Sequence, residues 1–353
     1  MNIINYNPTG FEDNLNQSFI KDISVYNRLK NNNFGTKVCL IDRTQSIPHF
    51  LDIDYSYCPI PNDKNFNLDF HTVTKNRCIE LLSLGKQINV SWSGGLDSTY
   101  ILFSLYNYAD DKSQIKVYGT YNSIIESGDL FDRFIKNRIN YTIELNHTSF
   151  SKSKYDEDNC IYVTGSMANQ LFTPGLTFNI KRDPILKLKD YELHGIPDVY
   201  NETLYKVADL SFETVLTDEC LEFLQPLVNN SVKKINTIQD LRWYLNFNCY
   251  WYNVLTNAYV GLEKDKINRI HAFFNTDEFQ LWSITNKDPV TKTGDYTDER
   301  WQIRETISEY IKDSYFSKNK KKFTSVFSPL RNNWLYFSSD YSTRFYDASK
   351  NTK

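Results

Sequence analysis

The sequence predicts an α/β protein: a parallel sheet with crossover helices, followed by a mainly helical region. Three observations carry that prediction. Short β-prone runs alternate with helix-patterned runs between Leu68 and Val163, the strand runs stop beyond about residue 184, and the adjacent glycines Gly94 and Gly95 fall at a strand-to-helix turn. The last point has weight because the chain holds only 12 glycines against 25 tyrosines and 23 phenylalanines.

Taken in order, residues 1–66 are polar and Asn-rich, with one short apolar piece at 37–42 and prolines at 48, 59 and 61. They read as a small N-terminal mixed region of strand and loop. From Leu68 the residues Val73, Cys78, Ile79, Leu81, Leu82 and Leu84 recur at near-helical spacing, and Gly85 suits the helix end. Gln87–Trp92 is a strand, Ser93–Thr99 a turn, and Tyr100–Leu105 a helix. A strand at Ile115–Tyr121, a helix at Leu130–Asn137, and strands at Tyr141–Leu145 and Cys160–Val163 complete an α/β domain over residues 67–183. Helical patterning then covers Leu204–Leu210, Thr217–Leu227, Ile238–Tyr259, Thr276–Trp282 and Glu299–Ile311, giving a helical region over 184–330. Residues 331–353 form a polar and aromatic C-terminal tail. The aromatic stretch Trp243–Tyr252 has the spacing of a helix buried on several sides, so packing accounts for it better than substrate stacking.

Composition narrows the function. The 353 residues suffice for two domains, and 40 Lys+Arg against 43 Asp+Glu leave a net charge of −3. That balance argues against a general nucleic-acid binder, and the run Lys318–Lys322 reads as a solvated face. The 6 cysteines are dispersed without a C-x-x-C pair and the 5 histidines are scattered, which points to buried reduced thiols rather than zinc or redox chemistry. No apolar run is long enough to span a bilayer, and the N-terminus lacks a basic segment followed by an apolar one. The expectation is a cytoplasmic protein with no membrane partner; a homodimer is compatible with the sequence.

The turn carries the chemistry. Ser91, Ser93, Ser98 and Thr99 surround Gly94 and Gly95 with hydroxyls that can bond phosphate oxygens. Glycine permits close backbone approach, and a helix beginning near Leu96 and Asp97 offers free N–H groups and the positive end of its dipole. The carboxylate of Asp97 suits an anion site only if a divalent cation bridges it to phosphate, which makes Mg²⁺ the natural inference. A purely capping turn would explain the glycines and Asp97 but not this density of hydroxyls.

Ser93-Gly94-Gly95-Leu96-Asp97-Ser98 after a buried strand resembles the PP-loop of ATP pyrophosphatases, which cleave ATP between the α and β phosphates. Later segments resemble asparagine synthetases within that group. Ser123–Leu130 is similar to their join between the second strand and a helix. Val163–Phe172 is similar to their Ser-Gly-x-Gly-x-Asp-Glu-Leu-Phe loop, Ala272–Phe279 to their Pro-Phe-x-Asp stretch, and Arg300–Glu305 to the helix carrying Lys-x-x-x-Arg-Glu. The resemblance spans about residues 68–312 in the right order. It implies an adenine nucleotide alpha hydrolase-like fold, ATP and Mg²⁺ as cofactors, and adenylation of a small-molecule carboxylate with release of pyrophosphate.

By that resemblance Ser91, Ser93, Gly94, Gly95, Leu96, Asp97, Ser98, Thr99 and Gly165 would contact ATP or pyrophosphate. Thr120 and Asn122 would lie near the adenine at the end of the second strand. Asp97 and Asn169 would hold the metal, and Asp97, Arg300 and Lys292 would serve catalysis. Three departures stand out. Asn169 replaces an acidic ligand, Gln170 replaces the neighbouring Glu, and Arg300 replaces a Lys; Lys287 and Lys292 are the basic residues in the loop before it. Residue 2 is Asn2, not the nucleophilic Cys of a glutaminase domain, and only residues 1–66 precede the α/β domain. The resemblance therefore implies a ligase using ammonia or an amine directly. The alternatives are a PP-loop enzyme modifying a nucleobase or tRNA, and a non-catalytic ATP-binding homologue.

Overall fold

The structure, a computed structural model, describes residues 3–5, 42–46, 58–144, 159–172, 225–235, 238–257, 264–286, 300–313, 334–339 and 342–347. Its centre is a five-stranded sheet. Strand β2 (Gln87–Ser91) is the middle member, flanked on one side by β3 (Ile115–Thr120) and β4 (Asn140–Glu144) and on the other by β5 (Cys160–Thr164) and β6 (Ile270–Ala272). All four pairings are parallel, and Val90 of β2 lies opposite Val117 and Val163. Ile88, Asn89 and Val90 are all buried, the unbroken inward run expected where helices cover both sheet faces.

The α/β prediction therefore holds, with differences in detail. A short strand β1 (Ile3–Asn5) pairs antiparallel with β7 (Trp334–Ser339), which pairs with β8 (Ser342–Asp347), so the C-terminal segment expected as a tail is a hairpin joined to the N-terminus. Strands do not stop at residue 184, because β6 extends the parallel sheet from within the region read as helical.

Helix α1 (Phe70–Ser83) begins where Asp69 accepts a 2.7 Å bond from the Thr72 N–H, and ends before Gly85, whose φ of +64° is the left-handed turn glycine permits. Helix α2 (Leu96–Tyr108) follows the loop after β2 and packs against α1. Helix α3 (Tyr121–Leu130) starts nine residues before the helix expected at Leu130–Asn137. It is kinked at Ser127 and continues as a π-helical turn over Phe131–Ile135.

After β5 come the short α4 (Ala168–Phe172), then α5 (Ile238–Cys249) and α6 (Trp251–Asn257), which divide at Tyr250 the single helix expected over Ile238–Tyr259. The turn α7 (Lys264–Ile267), then α8 (Asp277–Thr285) and α9 (Trp301–Ile311), complete the described helices. Of the segment Thr217–Leu227 only 225–227 are described, and these are helical; Leu204–Leu210 lies outside the described residues.

One hydrophobic cluster runs through both halves, from Cys58 to Ile311. At its centre Phe70 meets Tyr100, Phe172, Phe279 and Trp282, the last with ring centroids 4.7 Å apart. Rings at this spacing contribute about 0.5–1.5 kcal/mol per pair beyond their buried area. Trp243, Tyr244, Phe247, Tyr250, Trp251 and Tyr252 are all buried, as their spacing predicts. Cys58, Cys78, Cys160 and Cys249 are buried and form no disulfide.

Residues 42–46 and 58–61 are fastened to the helices by Arg43. Its guanidinium donates to the carbonyls of Cys58 and Pro59, each at 2.7 Å, and to Gln280 Oε1 at 2.6 Å. It lies 4.9 Å from the Trp251 ring. Burial pushes its pKa down to about 10, which leaves it charged at neutral pH.

Candidate functional site

The strand order reverses between β2 and β5. In open parallel sheets the crevice outside the strand C-termini at that reversal is where ligands collect. The loops after these two strands meet there, and Arg300 reaches the same place from the start of α9.

The first loop is self-tied. Ser98 Oγ accepts the Ser93 N–H at 3.1 Å and lies 3.1 Å from Ser93 Oγ, while Ser93 Oγ accepts the Gly95 N–H at 3.3 Å. Helix α3 fastens it from one side. Ser127 donates to the Gly94 carbonyl and Ser123 to the Trp92 carbonyl, both at 2.8 Å. Gly94 has φ +76°, and a Cβ there would strike the Ser123 carbonyl oxygen and fall 2.8 Å from Glu126 Cβ. Only glycine fits, for backbone and steric reasons at once. Gly95 precedes α2 without any side-chain cap, so no capping side chain occupies the N–H groups of the helix's first turn.

The second loop lies directly against the first: a Cβ on Gly165 would come 3.4 Å from Asp97 Cβ and from the Ser98 N–H nitrogen. Met167 follows with φ +77° and its side chain buried, at the position where the resembling pattern has its second glycine. Asn169 and Gln170 belong to α4. The Gln170 side chain turns inward, where its Nε2 donates to Asn246 Oδ1 at 3.2 Å, and Asn246 Nδ2 donates to the Asn169 carbonyl.

Arg300 joins the two loops. Its Nη1 lies 2.6 Å from Asp97 Oδ1 and 2.7 Å from Oδ2, and its Nη2 donates to Asn169 Oδ1. Arg300 is 7% exposed and has φ +58° immediately before α9. A non-glycine residue in this conformation costs about 1 kcal/mol, and such strain persists where the surroundings fix the residue. Helix α9 packs on α2, which sets the distance that the guanidinium spans.

Ser93, Gly94, Gly95, Leu96, Asp97, Ser98, Gly165, Asn169 and Arg300 are thus gathered at one crevice. Ser91 ends β2, opposite Tyr118. Thr99 is turned into the core, its hydroxyl accepting from Trp92 Nε1 at 3.0 Å. Thr120 closes β3 with its hydroxyl 3.3 Å from Ser123 Oγ, and Asn122 lies in the first turn of α3. Lys287, Lys292 and Lys318–Lys322 lie outside the described residues. Ser123, Ser127 and Asn246 are supporting residues that sequence reasoning did not single out. For Asn246 a signal existed: with Asn248 it is one of two polar residues inside the aromatic-rich stretch Trp243–Tyr252.

As arranged, the expected metal ligands do not fit a resident divalent cation. Both Asp97 oxygens and the Asn169 amide oxygen face Arg300. Among the described residues no group of three or more His, Cys, Asp or Glu side chains could hold a metal.

Fold and site together define a parallel α/β protein with a Gly-Ser loop, a helix N-terminus and a buried arginine at its strand-order reversal. No protein-family model matches this chain, and no curated protein matches it. Among the described residues, no helix is long and apolar enough to cross a membrane.

Proposed function

We propose that this chain is an ATP-dependent amide-forming ligase of the asparagine synthetase type, built on an adenine nucleotide alpha hydrolase-like fold. A carboxylate substrate attacks the α-phosphorus of ATP, the bond to the β-phosphate oxygen breaks, and pyrophosphate leaves. Ammonia or an amine then attacks the acyl-adenylate, AMP departs, and an amide remains. One observation carries the reading: three segments that resemble separate parts of one synthetase site, around Asp97, Asn169 and Arg300, meet side chain to side chain at the ligand crevice of the sheet.

In this reading the loop 93–98 and the first turn of α2 receive the leaving pyrophosphate, with ATP's own magnesium arriving as part of the substrate. Thr120, at the end of β3, and Asn122, in the first turn of α3, are the residues assigned to the adenine in this proposal. Catalysis by positioning accounts for the modest inventory of acid–base groups, because holding reactants in line supplies much of the rate. Lys292 is the further cation in this proposal.

A second reading, a non-catalytic ATP-binding protein, is favoured by the amides Asn169 and Gln170, since Gln170 is turned away from the crevice. ATP–pyrophosphate exchange across a panel of small carboxylic acids separates the two. The ligase reading expects exchange that depends on one class of acid and is lost in Asp97→Ala. ATP binding with no exchange for any acid would leave the non-catalytic reading.

A further inference from the structure

We infer that the Arg300 guanidinium stands in for a divalent cation at this crevice, so that the loop after β2 binds pyrophosphate without metal. The inference rests on the proposed reading of that loop as a pyrophosphate site, and adds how its charge is managed.

The first argument is geometric. A dication bridging the two loops would take its oxygens from the Asp97 carboxylate and the Asn169 amide. Those are the groups that Arg300 engages, with Nη1 at 2.6 and 2.7 Å from the two carboxylate oxygens and Nη2 on the amide oxygen. The planar fork of arginine suits such bridging.

The second argument is charge. Two carboxylates facing one guanidinium would leave a negative site, and a phosphate would need a cation to enter it. Here the second position is Asn169, so Asp97 and Arg300 balance each other across the crevice. The partial positive charge of the N–H groups in the first turn of α2 is then left unopposed by the pair, and Asp97 no longer repels an incoming anion.

The third argument is that this arrangement is built into the fold. Arg300 is 7% exposed and fixed in a left-handed conformation at the start of an eleven-residue helix. Asn169 is itself secured by Asn246 from α5. A loosely held surface arginine would show neither.

The test is calorimetric titration of the full chain with inorganic pyrophosphate, in chelator and in excess Mg²⁺. The dissociation constants are expected to agree within about threefold. Asn169→Asp should weaken binding in chelator at least about tenfold and regain it in Mg²⁺. Arg300→Gln should also lose metal-free binding by about tenfold or more, with Mg²⁺ restoring it, a rescue that a merely structural role would not give. Thermal unfolding of both variants verifies that they are folded, and Asn169→Asp keeps the test decisive if Arg300→Gln is not. Wild-type binding that requires Mg²⁺ overturns the inference and leaves the proposed function standing. Absence of pyrophosphate binding in both conditions removes both.

Discussion

The two loops that meet at the crevice perform the same turn by different means. Each leaves a parallel strand, passes through one left-handed residue and enters a helix. In the first loop that residue is Gly94, where a side chain would strike the Ser123 carbonyl. In the second it is Met167, whose side chain is 1% exposed. The left-handed conformation costs a residue such as Met about 1 kcal/mol, and full burial of its side chain contributes about 1.5–3 kcal/mol, so burial wins. Where backbone must approach backbone the turn needs glycine; where it faces a core, a large side chain can hold the same conformation. The loops also lead into helices of different length. The thirteen residues of α2 give the first loop a helix dipole, whereas the five of α4 give the second almost none. Under the proposed function, anion binding is therefore assigned to the first loop, with the second as support.

The comparison can be broken most forcefully at Gly94. Gly94→Ala combines a left-handed φ with a contact to rigid backbone, and is expected to lower unfolding free energy by about 2–5 kcal/mol in chemical denaturation. A loss below about 0.5 kcal/mol would mean that the loop has room to move, and the contrast would fail. Met167→Gly should have the smaller and opposite-looking balance: the backbone relaxes but the packed side chain is lost, for a net loss of about 1–3 kcal/mol. Stabilisation by that variant would show that strain, not packing, governs the second loop.

The smallest effect is electrostatic and lies at His271 of β6, opposite Val163 of the strand that leads into the second loop. Burial lowers its pKa from the ordinary 6.5, helped by Arg77 and Lys86 and opposed by Glu80. The unfolded chain thus takes the proton first. Its contribution to stability is fully present above about pH 6.5 and is lost as pH falls through the lowered folded value. His271→Gln should flatten that fall in a pH series of melting temperatures; an unchanged slope would show that His271 does not contribute.

Much of this was legible in the sequence where the signal is local. The strand β2, its loop and α2 stand out because a short buried run, a Gly–Gly pair and a helical apolar pattern lie consecutively. Other features were legible only through distant partners. The strand β6 has three residues, too few for its alternation to register as a pattern, and becomes a strand because β5 offers it hydrogen bonds. Helix α3 contains Ser127 and Gly128, poor helix formers whose local preference is a turn. Its serines instead bond the carbonyls of the first loop, which local propensity cannot express. Thr99 looked like a phosphate contact beside Ser98, but one residue along a helix rotates a side chain by about 100°, from the crevice to the core. The Asp97–Arg300 pair joins residues 203 positions apart.

That separation also sets the order in which the crevice matures. During synthesis the loop after β2 emerges with its carboxylate long before the edge strand β6, and the guanidinium that neutralises it comes later still, with helix α9. A partly made chain that adopts the Gly-Ser turn holds the Asp97 carboxylate beside it without its counter-charge. Under the proposed function the anion thus selects finished molecules over intermediates, and its binding doubles as a proof of assembly: it stabilises only chains in which α2 and α9 have met.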